Sequence, residues 1–168
     1  MFVERIFGLD PIVGEDPKVL ILGSMPSVES LRKQEYYGNK RNHFWKIMFQ
    51  LFDSLERAEY EEKIAFLKDK KIALWDVLYS CHREGSLDSN IKNEVPNEIE
   101  SFVKCNPTLR IIVCNGTKAY KSYQKYIGLN RFPELKVIKL PSTSPVPGKY
   151  NKTLEGKLQE WKKIKEYL

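Results

Sequence analysis

Four short apolar runs of β type punctuate the chain, each followed by a turn signal or by helical periodicity. The first, residues 18–23, is unbroken from Val19 to Leu22 and suits a strand covered on both faces. The others are residues 72–78, 109–114 and 135–140. Between them, Phe44, Ile47, Met48, Leu51 and Phe52 fall on one face of a helix that begins near His43, with Asn42 placed to cap it. Ile64 and Leu67 predict a short helix ending in the charged turn 68–71. Pro96 is suited to open another, with Ile99, Phe102 and Val103 inward. Tyr120, Tyr123 and Ile127 mark one after Gly116, and Leu154, Leu158, Trp161, Ile164 and Leu168 form a last stripe with its lysines outside. Strands alternating with helices imply parallel pairing through right-handed crossovers, hence an α/β protein built as an αβα sandwich. Ligands of such sheets bind at the carboxyl ends of the strands. That rule selects the loops beginning at Gly23, after Trp75, at Asn115 and at Pro141.

With 168 residues and 42% hydrophobic content, the chain is sized for one core, so a single domain over 1–168 is expected. The longest uncharged apolar stretch is far below the ~20 residues that span a bilayer. The amino terminus carries Glu4 early and shows no secretory pattern, so a cytoplasmic protein away from membranes is expected. Cys81, Cys105, Cys114, His43 and His82 are scattered without ligand spacing, which predicts no metal, no cofactor and reduced thiols.

The formal charge is +6, and its distribution is uneven. Arg32, Lys33, Lys40, Arg41 and Lys46 face only Glu35 within residues 31–50, a net +4. Lys136, Lys139, Lys149 and Lys152 have no acidic companion within residues 136–152, again +4, which leaves −2 for the rest of the chain. A surplus confined to two segments fits an anionic partner.

Both segments adjoin loops with chemistry. After Gly23, which lets backbone approach a ligand, come Ser24 and Met25, and further on Tyr36, Tyr37, Lys40, Arg41 and Asn42. Together these supply backbone amides, a stacking face, a neutral hydrogen-bonding group and phosphate contacts, as required to hold an extruded base. In the last loop Ser142 and Ser144 offer hydroxyls to phosphate oxygens, Val146 between two prolines is a candidate wedge, and Lys149 lies behind. Plainer roles stand beside these: Asn42 as a helix cap, Asp76 as a turn residue, Trp75 as core, the last loop as a surface turn, and the carboxyl-terminal lysines as a solvated face.

The spacing of residues 20–27 (Leu-Ile-Leu-Gly-Ser-Met-Pro-Ser), 36–38 (Tyr-Tyr-Gly), 42–45 (Asn-His-Phe-Trp) and 140–145 (Leu-Pro-Ser-Thr-Ser-Pro) resembles the uracil-DNA glycosylase superfamily. The segments 73–78 and 83–88 bring it nearer to hypoxanthine-DNA glycosylases. The resemblance implies a three-layer αβα fold on a central four-stranded parallel sheet. It also implies a monofunctional, metal-free enzyme excising deaminated bases (hypoxanthine, with uracil or xanthine) from double- or single-stranded DNA, and a monomer is expected. The family's first-loop water-binding position falls near Met25, which cannot orient water, and the resemblance transfers that catalytic work to Asn42. Tyr37 corresponds to the aromatic that stacks on the base. Gly23, Ser24 and Asp76 correspond to the base-binding positions, and Ser142 to the second loop motif. Leu140 stands where His or Asn is common, which argues against leaving-group help from this loop. Two rival readings, a nucleotide-binding α/β protein and a nucleic-acid-binding domain without glycosylase activity, differ from it in releasing no base. The first lacks a phosphate loop ending in Lys-Ser/Thr.

Overall fold

The computed structural model describes residues 3–145 and 152–168. In chain order the elements are β1 (Arg5–Phe7), β2 (Val19–Gly23), α1 (Val28–Lys33), α2 (Phe44–Leu51), α3 (Tyr60–Asp69), β3 (Ile72–Asp76), β4 (Leu78–His82), β5 (Lys92–Pro96), α4 (Ile99–Cys105), β6 (Ile111–Asn115), α5 (Thr117–Tyr126), β7 (Lys136–Leu140) and α6 (Leu154–Trp161), which runs on into a 3-10 turn.

The four runs read from the sequence form one parallel sheet in the order β3-β2-β6-β7. Side chains of a strand alternate between faces, and here both faces are apolar. Val19, Ile21, Ile72, Leu74, Ile111 and Val113 point into one core with α2, α3 and α6. Leu20, Leu22, Ala73, Ile112 and Cys114 point into a second core with α4 and α5. Two apolar faces demand two helical layers, and the three-layer αβα sandwich follows. Because β2 pairs with β3 on one side and β6 on the other, the strand order reverses there, and the crevice above Gly23 and Asn115 is the switch point where such sheets bind ligands.

Several local expectations are corrected. Residues 72–78 do not form one strand. The chain breaks at Val77, whose amide donates to the Gly23 carbonyl, and Leu78 starts a strand in a second, antiparallel sheet ordered β1-β4-β5. Asn97 Nδ2 holds this break by donating to the carbonyls of Asp76 and Leu78, at 2.9 and 3.1 Å. Pro96 ends β5 instead of opening a helix, pairing with Leu78 at the sheet edge where a missing N–H is tolerated. The basic stretch after the first loop contains α1, capped by Ser27, whose hydroxyl accepts from the Ser30 amide. The carboxyl-terminal stripe packs as expected, but Lys157 is inside it, 1% exposed. No helix among the described residues is long and apolar enough to cross a membrane. Cys81 and Cys114 are buried, whereas Cys105 is exposed at the end of α4.

Candidate active site

The register of the central sheet places Gly23 beside Asp76. The contact is so close that a Cβ on Gly23 would collide with Asp76 Oδ1 and come within 3.2 Å of the Tyr37 hydroxyl. Absence of a side chain at Gly23 is therefore what lets Asp76 and Tyr37 converge. Asp76 is 4% exposed, and its Oδ2 has no hydrogen-bond partner among the described residues. Burial pushes its carboxyl up to about 7, the Asp88 carboxylate adds to the rise, and the Arg83 guanidinium opposes it. The ordinary value is 3.8, so the native state holds this proton over a range where the unfolded chain has released it. Stability from this group is thus greatest at low pH and declines as pH climbs from the ordinary value to about 7, then levels. Asp76→Asn is expected to flatten that decline. Urea midpoints of both proteins at about pH 5 and about pH 8 measure it; an equal pH dependence in the two would count against a buried, titrating Asp76.

Tyr37 reaches the site from a left-handed turn, φ 53°, with its ring stacked on Phe44 at 4.1 Å. Its neighbour Tyr36 turns the other way and is spent on the core, donating to the Asp10 carbonyl at 2.8 Å. Asn115, at the end of β6, joins the loops. Its Nδ2 donates to the Tyr37 hydroxyl (2.9 Å) and to Thr143 Oγ1 (3.0 Å), while its Oδ1 accepts from the Thr143 amide (3.0 Å). Thr143 is fully buried, and its carbonyl accepts from the His43 amide at 2.9 Å. One carboxamide thereby ties the second loop to the first.

Asn42 is partly exposed, and its Oδ1 accepts from the Phe44 amide at 2.9 Å. The cap residue of α2 is His43, so the expected cap is displaced by one position although Asn42 still satisfies one of the helix's unpaired amides. Met25 is buried in the second core, in keeping with its inability to handle water. The Ser24 hydroxyl donates to Asp88 at 2.7 Å. Lys40, Arg41 and Ser142 are exposed and Ser144 is half-buried; Ser142 Oγ accepts from the Ser144 amide. Val146 and Lys149 lie outside the described residues.

The individual roles of Asn115, Thr143, Arg83 and Lys157 were not read from the sequence. Arg83 is 5% exposed and clamps the 83–88 loop to the first loop, with Nη2 donating to the Pro26 carbonyl and Nε to that of Gly85. Lys157 donates to His43 Nδ1 and to the Ser144 carbonyl. Asn115 closing a buried strand next to Gly116 was the one available signal. The other three become partners only through chain closure.

An αβα sandwich with convergent polar groups at the switch point of its parallel sheet, flanked by cationic loops, defines an α/β protein with its candidate site at the carboxyl ends of the strands. The family profile described as the uracil DNA glycosylase superfamily matches residues 11–166, and the chain belongs to that superfamily. It is similar to a protein named hypoxanthine DNA glycosylase from Methanosarcina acetivorans, 39% identical over 160 residues, covering 94% of this chain and 96% of that one. A protein of the same name from Methanosarcina barkeri is 36% identical over 113 residues, 67% of this chain and 72% of that one. The solution NMR structure of a candidate uracil DNA glycosylase from Methanosarcina acetivorans superposes with TM-score 0.80 at 36% identity, covering 96% of each chain.

Proposed function

We propose that the protein is a DNA glycosylase that hydrolyses the N-glycosidic bond of hypoxanthine in DNA, with uracil and xanthine as further substrates, working as a cytoplasmic monomer of one domain. The convergence of Gly23, Asp76 and Tyr37 at the switch point carries this reading. The name shared by the two Methanosarcina relatives supports the choice of hypoxanthine.

Breaking an N-glycosidic bond leaves positive charge on the sugar and negative charge on the base, and the site must stabilise both. Extrusion costs a few kcal/mol, less for a mispaired base. Phe44 covers one face of the Tyr37 ring, so the base stacks on the other, worth about 1–3 kcal/mol. Backbone around Gly23 and Ser24 lines the ring edge. Above about pH 7, where its raised carboxyl is ionised, Asp76 accepts from N1–H of hypoxanthine or N3–H of uracil, and opposes the N1 lone pair of adenine. Asn42 positions the water that captures the sugar, acting through placement because an amide is a poor base. Lys40, Arg41, Ser142, Ser144, Val146 and Lys149 contact the DNA.

A duplex with a single deoxyinosine, incubated with the protein and a chelator, tests the proposal. Free hypoxanthine should appear by chromatography together with an abasic strand cleavable by alkali. DNA binding without base release would make the protein a catalytically silent binding domain. Parallel duplexes with uracil and xanthine rank the substrates.

A further inference from the structure

Linked to the proposed base site through the hydrogen bonds from His43 to Thr143 and from Asn115 to Tyr37 is a cleft of 410 Å³ lined by Lys40, Arg41, His43, Lys46, Pro145 and Lys157. No carboxylate is among its described lining residues. Four exposed or half-buried groups of this kind would be an ordinary basic patch, but Lys157 is different. It enters from α6 through the interior, and its ammonium donates to His43 Nδ1 and to the Ser144 carbonyl, 3.2 Å each. An ammonium carries three hydrogens and no acceptor. Nδ1 of His43 must therefore present its lone pair, which puts the ring hydrogen on Nε2. Among the described residues each of the two groups then retains a donor: Nε2–H of His43 and the third hydrogen of Lys157. Burial holds the His43 imidazole below its ordinary value, with Lys157 and Lys46 contributing, so the ring stays neutral in this tautomer at neutral pH.

A buried cation with an unused donor is costly unless an anion completes it. Resting on the glycosylase reading, we infer that Lys157 and His43 seat a DNA phosphodiester, the one flanking the nucleotide whose base is extruded. Asn42 and His43 are consecutive, so if Asn42 attends the sugar, the adjoining phosphate falls to the next side chain. The His43 amide is fastened to the Thr143 carbonyl, the same loop that Asn115 ties to Tyr37, so base and phosphate sites are held in one frame. Lys40, Arg41 and Lys46 add attraction at the rim. A phosphate oxygen accepts well from both donors, and such charge-assisted bonds are the strong ones.

The test uses the intact protein and a duplex carrying a stable abasic-site analogue, so that no turnover is needed. One phosphate at a time is made a neutral methylphosphonate. At one position flanking the abasic residue, wild-type affinity should drop about tenfold, the scale of one charged hydrogen bond. Lys157→Met should lose a similar amount, with the same methylphosphonate then adding less than about twofold, and its salt slope should fall by about one. Penalties that simply multiply at every position would overturn the inference. His43→Phe, which removes the other assigned donor from a half-buried position, repeats the cycle should Lys157→Met fold poorly; coupling must appear at the same phosphate, and its absence there also overturns the assignment. A His43 imidazole NMR shift with inorganic phosphate, combined with uncoupled DNA penalties, would mean a free-anion site and reject the phosphodiester. Failure of the glycosylase reading shows separately, as intact deoxyinosine in the release assay.

Discussion

Replacing Asn42 by alanine is expected to lower the single-turnover rate of hypoxanthine release by about 10²–10³, the cost of one preorganised hydrogen-bonding group. Its stability should change far less. The structure shows what the side chain already does: Oδ1 accepts from the Phe44 amide at the start of α2. A bond of this type contributes about 1 kcal/mol, or about 2–4 °C in a domain of this size. The remaining lone pair and the two amide hydrogens are what a water at the sugar would use. Asn42→Asp separates the roles, because it keeps the acceptor for Phe44 while removing the donors. If alanine melts lower yet retains more than about a tenth of the rate, Asn42 is only a cap and the water is held elsewhere.

Gly23→Ala should be the most damaging added methyl group among the described glycines. The new Cβ would overlap Asp76 Oδ1 and crowd the Tyr37 hydroxyl, and neither is the far end of a flexible exposed chain. Asp76 sits beside Gly23 in a fixed strand register, and Tyr37 is held by Asn115 and Phe44. Overpacking of this kind costs about 1–3 kcal/mol. Displacing two proposed base contacts together should reduce base release by at least about a hundredfold, since small misplacements at a reacting centre cost this much. In an Asp76→Ala background the carboxylate is gone, and the same methyl should cost less than half as much stability by thermal melting. An undiminished cost there would put the collision somewhere other than Asp76.

The sheet was legible because its signal is local: four apolar runs, each with a glycine, proline or helical pattern behind it. Its antiparallel companion was not. β1 spans three residues, and β4 is cut from β3 by backbone bonds from Val77 and Leu78 to the first loop and by Asn97 at the end of β5. A break made by long-range hydrogen bonds leaves no periodicity to read. Pro96 misled for a related reason, since its ring suits a first helical turn and an edge-strand end alike. In the site, Gly23, Tyr37 and Asp76 were accessible through loop position and resemblance. Arg83 and Lys157 were not, because a buried cation looks like any surface one until its carbonyl partners, Pro26 and Ser144, are folded against it.

The unequal environments of the three thiols make the protein ready for spectroscopy as it stands. Burial pushes Cys114 up to about 12 and raises Cys81 as well, so neither offers much thiolate to an electrophile near neutral pH. Cys105 is open to solvent at the end of α4, and the chain runs from there into the amino-terminal end of β6. The proposed chemistry lies at the other end of that strand, whose five residues span about 17 Å. A maleimide dye or spin label should therefore attach at one place without any cysteine being removed, and report on DNA engagement while leaving the working loops untouched.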